Sequence, residues 1–151
     1  MNDHNIPSII QENRKNAFPP PNNSPFQIWE TVLEKSTCAN GGVGVLAKEF
    51  INQVEKNFRE QHSPLFYASK LNITKSYLRK ICQWAIGMPP SRCIQARLML
   101  EACELLKSPK LSIKEVASRI GFEDASHFSK LFKGHSGLSP DCYRNSHLKN
   151  T

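Results

Sequence analysis

The stretch Ser112-Ile113-Lys114-Glu115-Val116-Ala117-Ser118-Arg119-Ile120-Gly121-Phe122, continued as Glu123-Asp124-Ala125-Ser126-His127-Phe128-Ser129-Lys130-Leu131-Phe132-Lys133, holds two helix signals around one turn. Ser112 followed three residues later by Glu115 makes a capping box, in which each side chain satisfies an amide at the helix start. Val116, Ala117 and Ile120 give that helix one apolar side. Gly121 ends it where the backbone turns left-handed, a conformation glycine enters without strain. A second helix is expected from Glu123 or Asp124 to about Lys133, with Phe128 and Leu131 anchoring it. Two short helices around a tight glycine turn make a helix-turn-helix.

The same unit is written earlier in the chain. Ala68, Leu71, Asn72 and Ile73 stand 49 residues before Ala117, Ile120, Gly121 and Phe122. After a one-residue insertion the offset is 50: Leu78, Lys80, Ile81, Gly87, Met88 and Pro90 precede Phe128, Lys130, Leu131, Gly137, Leu138 and Pro140. Self-similarity of this kind means one supersecondary unit built twice. In the first copy Ser63-Pro64 opens a helix to Leu71, Asn72 makes the turn, and Thr74 caps a helix to about Ile86.

Before the first unit, Leu46, Phe50, Val54 and Phe58 recur at four-residue spacing, an amphipathic helix. Ser91–Lys107 reads as a long helix with Ile94, Leu98, Ala102, Leu105 and Leu106 on one face, and a last short helix starts at Ser139-Pro140. No strand is expected. The fold class is therefore all-α, a seven-helix domain of two helix-turn-helix subdomains joined by a long linker helix. Residues 45–146 hold that domain, with the first unit at about 64–86, the linker helix at 91–107 and the second unit at about 112–135. Residues 1–44, with Pro19-Pro20-Pro21 and Asn22-Asn23-Ser24-Pro25, read as a flexible tail with a short helix at 26–35, and 147–151 as a C-terminal tail.

The chain has 151 residues, 39% hydrophobic and 22% charged, and a net charge of +7. Sixteen basic and nine acidic residues fall between Val43 and Ser146, against three and four in the first 42. The excess sits on the helical region, where a polyanion would bind, although charge alone also suits a merely soluble protein. The five cysteines, Cys38, Cys82, Cys93, Cys103 and Cys142, are odd in number and lack C-x-x-C spacing. They read as reduced thiols in a cytoplasmic chain. The N-terminus has no signal-peptide run, and no stretch reaches the roughly 20 apolar residues a membrane span needs.

Several chemistries find no support. Asn40-Gly41-Gly42-Val43-Gly44 has glycines like a phosphate loop, but no Gly-Lys-Ser/Thr follows and no strand precedes, so it reads as a helix break. His127 and His135 lie eight apart and form no metal pattern with the cysteines. No nucleophile elbow, paired-carboxylate or cysteine–histidine signature is present, so an enzyme is not expected and no cofactor is implied. Nor does any cysteine have the Pro-Cys-His or Pro-Cys-x-x-Cys setting that some helix-turn-helix DNA-repair proteins would require.

The segment 113–133, with Gly137-Leu138-Ser139-Pro140 and Tyr143-Arg144 beyond it, resembles the C-terminal DNA-binding domain of the AraC/XylS family of bacterial transcription regulators. The resemblance covers about residues 46–146. It implies that the third and sixth of the seven helices enter adjacent major grooves, roughly 34 Å apart. Carried over by position, the base contacts fall on Ser76, Arg79 and Lys80 in the first unit, and on Ser126, His127, Ser129 and Lys130 in the second. Arg79 suits guanine O6 and N7. Thr74, Tyr77, Gln83 and Lys133 fall on phosphate, which fixes position but not sequence. The amides at the helix starts Thr74 and Asp124 are further phosphate donors, the Asp124 charge opposing the second.

The sequence departs from the family at Cys82-Gln83, where Phe-Lys is usual, at Pro89, and at Leu98, where Arg is common. Cys82 is expected to fill core space with a smaller side chain. The partner implied is double-stranded DNA, bound by a monomeric activator that also meets RNA polymerase, in the cytoplasm or on the nucleoid and not at a membrane. About 45 residues precede the domain, too few for a ligand-binding domain, so either a stand-alone regulator or the end of a longer one is expected. The alternative is a helical protein-interaction module that has lost DNA binding.

Overall fold

The computed structural model describes residues 25–149, and the expected tail over 1–24 and the last two residues lie outside them. Eight helices and no strand occur among the described residues: α1 (Pro25–Cys38), α2 (Gly41–Asn57), α3 (Pro64–Lys70), α4 (Lys75–Ala85), α5 (Pro90–Leu106), α6 (Ile113–Arg119), α7 (Ala125–Ser136) and α8 (Pro140–Lys149). The all-α class and the two units on a linker helix are as the sequence implies. Helix α5 is the axis. It is buried on most sides, at Cys93, Ile94, Ala96, Leu98, Met99, Leu100, Ala102, Cys103 and Leu106, well beyond the single apolar face expected. Helices α2 and α4, at the first unit's end of the chain, and α6, α7 and α8, at the second's, all pack on it.

The N-terminal boundary differs from expectation. Helix α1 is longer than 26–35 and packs on α5 and α2. Ile28, Trp29 and Val32 fall on one side of a helix, and Trp29 and Val32 are fully buried. Burying an indole is worth about 3–5 kcal/mol against truncation, so α1 belongs to the folded unit and is not a tail. Gly41, Gly42 and Gly44 likewise do not break the chain. They form the first turn of α2, after Asn40 in extended conformation. At the other end, α8 runs to Lys149 across the start of the expected tail.

A buried ion cluster ties α2 to α5. The Arg97 side chain is nearly inaccessible; its Nε donates to Glu55 Oε1 at 3.0 Å and its guanidinium lies 4.2 Å from the centre of the Phe58 ring. A second nitrogen of Arg97 sits 3.6 Å from Glu101, which also accepts from Arg59 at 2.7 Å. Arg59 covers the same Phe58 ring at 4.6 Å. Buried guanidinium needs such pairing because desolvation opposes the charge. At the far end of α5, Arg144 of α8 donates to the Leu106 carbonyl at 3.1 Å, an oxygen the helix end leaves unpaired, and to the Leu111 carbonyl in the loop that follows.

Candidate nucleic-acid interface

The two units repeat down to their turn hydrogen bonds. Ile73 N–H donates to Ala68 at 3.0 Å, and Phe122 N–H donates to Ala117 at 2.9 Å. Asn72 N–H donates to Ser69 at 3.2 Å, and Gly121 N–H donates to Ser118 at 3.1 Å. Both pivots are left-handed, with φ of 56° at Asn72 and 87° at Gly121. Local chemistry alone thus builds the same bend twice.

Each second helix is capped as read. The Thr74 hydroxyl accepts from Tyr77 N–H at 3.0 Å, and the Asp124 carboxylate accepts from Ser126 N–H at 2.8 Å. The Asp124 carboxylate therefore holds one of the amides that a phosphate would want. The capping box before α6 closes in both directions, Glu115 N–H to Ser112 Oγ at 3.0 Å and Ser112 N–H to Glu115 at 2.6 Å. Those hydrogen bonds to the charged form lower the Glu115 pKa.

Leu78, Ile81 and Cys82 hold α4 on the core, and Phe128 and Phe132 hold α7. Cys82 fills core space as expected from its departure, and burial pushes its thiol pKa up to about 12, leaving it inert. On the outer side of α4, Thr74, Ser76, Tyr77, Arg79, Lys80 and Gln83 are all exposed. On α7, Ser126, His127, Lys130 and Lys133 are exposed, while Ser129 is half-buried and the least available. His127 also lies edge-on to Phe122, with ring centres 5.5 Å apart, which restricts where the imidazole points.

Sequence reasoning missed the residues that set one unit against the other. His62, in the loop before α3, donates from Nε2 to the Ile120 carbonyl at 3.0 Å, since a carbonyl can only accept. Its ring lies 5.2 Å from Phe122. Gly121 sits beneath the same loop, and a methyl group there would meet the Arg59 carbonyl and come within 3.0 Å of His62 Nε2. The contact spans 58 residues, so no local pattern announces it. Trp84 was missed too. It is 73% exposed near the end of α4. Its position gave no signal beyond an aromatic on a polar face.

Two capped helix-turn-helix units, fixed on a shared axial helix and each turning a polar and cationic face outward, define a double helix-turn-helix domain. Residues 67–146 match the helix-turn-helix domain family, more than half of the chain. Over 101 residues the chain is 37% identical to the Msm operon regulatory protein of Streptococcus mutans, covering 64% of this chain and 36% of that protein. The transcriptional activator AarP of Providencia stuartii is 29% identical over 66% of this chain and 73% of its own length. The fold is shared with the DNA-binding domain of AdpA, solved with a target DNA, at a TM-score of 0.63 and 23% identity, covering 69% of this chain and 93% of that one. The chain belongs to the AraC-type helix-turn-helix family. It spans about a third of the length of the first of these relatives.

Proposed function

We propose that this chain is a sequence-specific DNA-binding transcription regulator that lays α4 and α7 in adjacent major grooves of double-stranded DNA. The observation that carries this reading is the doubled turn. Two helices with matched hydrogen bonds and caps are held on one axis, each with donors and cations free to reach base edges. Ser76 and Arg79 are the base readers of α4, and Lys80 is shared between a base edge and the flanking phosphate; Ser126, His127 and Lys130 read from α7, with Ser129 a weaker fourth. Thr74, Tyr77, Gln83 and Lys133 take phosphate. The protein acts as a monomer on DNA in the cytoplasm, as an activator that meets RNA polymerase; the activator named among its relatives supports that direction.

Selection of bound duplexes from random sequence tests the reading directly, and two half-sites one helical turn apart are expected. Neutralising about six phosphates with lysines and arginines predicts an affinity loss of about 10³-fold between 50 and 200 mM salt. Arg79→Ala is expected to relax specificity at one base position, and Lys133→Ala to weaken all sequences alike. A flat salt response with no selected sequence would overturn the reading and leave a protein-interaction module.

A further inference from the structure

We propose that Trp84, with Tyr77 and Lys80, seats the sugar–phosphate strand bordering the major groove that α4 enters, an inference that rests on the DNA-binding reading above. Opposite the buried line of Leu78, Ile81 and Cys82, helix α4 turns out Ser76, Lys80 and Gln83. Tyr77, Lys80 and Trp84 follow at i, i+3 and i+7 along the flank of that strip, on the side facing the first turn of α2. Val43 of that turn, with Tyr77, Lys80, Ile81, Gln83 and Trp84, lines an open hollow.

The hollow has an unusual mixture of surfaces. Trp84 is 73% exposed and Tyr77 is 43% exposed, so two aromatic rings stand in water beside a cation. One exposed ring is ordinary, but an exposed indole and phenol side by side over a hollow form a contiguous apolar surface of the kind that contacts a partner. The lining holds one ammonium and no carboxylate, so it favours an anionic occupant. The occupant must also offer apolar area, which free phosphate cannot. A deoxyribose-phosphate strand has both, an anionic oxygen for Lys80 and a sugar edge for Trp84 and Val43. The hollow shares Lys80 and Gln83 with the outward strip of α4, so a strand lying in it runs directly beside the groove that strip faces. Trp84 then acts without regard to base sequence: it fixes how deeply α4 sits.

The test uses the whole chain and a duplex obtained by selection. Trp84→Ala is expected to weaken binding about tenfold, by the same factor on every base sequence and without changing the salt slope, because it removes apolar contact and no charge. Trp84→Phe is expected to keep most of the affinity. Replacing single phosphates by neutral methylphosphonates should reveal one or two positions on one strand that weaken the parent chain and leave Lys80→Ala indifferent. Trp29 is fully buried in α1, so a DNA-induced change in indole emission belongs to Trp84 and should vanish in Trp84→Phe. Equal affinity of the parent chain and Trp84→Ala, with indole emission unmoved by DNA, overturns the proposal alone. If promoter activity then falls, a protein partner holds that face. If the parent chain binds no duplex, the DNA-binding reading fails first and this inference falls with it.

Discussion

Adding one methyl group at Gly121 probes the joint between the two units. Gly121 has φ of 87°, and the added carbon would collide with the Arg59 carbonyl oxygen and approach His62 Nε2 at 3.0 Å. The left-handed conformation alone costs a non-glycine residue about 1–2 kcal/mol. Forcing the Arg59–His62 backbone aside adds about 1–3 kcal/mol, the usual range for overpacking. Against this, alanine restricts the unfolded chain and returns about 0.4–1 kcal/mol. The net expectation for Gly121→Ala is a loss of about 2–4 kcal/mol, or a fall in Tm of roughly 8–15 °C for a domain of this size. Gly137 is the internal control, because its φ is 81° and a methyl group there meets nothing within 4 Å. Gly137→Ala should therefore lose only about 1 kcal/mol. Urea unfolding of both variants gives the comparison, and equal losses would refute the claim that the loop before α3 bears on the second turn.

Other expectations follow from the same contacts. Arg97→Met should destabilise by about 1–3 kcal/mol in chemical unfolding, because Glu101 loses one of its two cations in a poorly hydrated place while the exposed side of Glu55 moderates the cost. Burial, and then the charge of Arg92, hold the His135 pKa below 6.5. The folded state thus keeps His135 neutral while the unfolded chain takes the proton first. Stability from this group is complete above about pH 7 and falls as pH drops through 6.5; His135→Gln should show a smaller fall in Tm between pH 7.5 and 5.5 than the parent chain. Ser112→Ala removes one hydrogen bond of the capping box and should cost about 1 kcal/mol by thermal unfolding.

What could be read in the sequence was what short-range chemistry determines. Ser112 with Glu115, Thr74, Asn72 and Gly121 act within a few residues of themselves, and each adopts the cap or turn its residue type favours. The repeat added the second unit at no extra assumption. Longer-range packing was not legible. Residues 26–35 read as a short helix beside a tail, and only the flank of α5 that this helix covers shows why Trp29 and Val32 are buried. The periodicity of α5 suggested one apolar face, yet the helix is covered on most sides, and even Arg97 is buried because Glu55, 42 residues away, pairs its charge. Ser129 was carried over by position from the family resemblance, and neighbouring packing half-covers it. Exposure of the other candidate readers followed from helix geometry alone.

The joint at His62 gives these local units a common geometry. Helices α4 and α7 share no substantial contact and each touches α5, so their separation depends on how each unit seats on that axis. A single helical support fixes distance well and rotation poorly, because packed ridges permit more than one crossing angle. His62 closes that freedom from the first unit: it hydrogen-bonds Ile120 at the second turn and lies tilted against the Phe122 ring. Phe122 in turn meets His127 and Phe128 on α7. The orientation of one reading helix is thereby referred to the other unit through two rings and one hydrogen bond. A bipartite site needs that reference, since helices free to rotate would read two half-sites independently and lose the affinity gained from binding both at once.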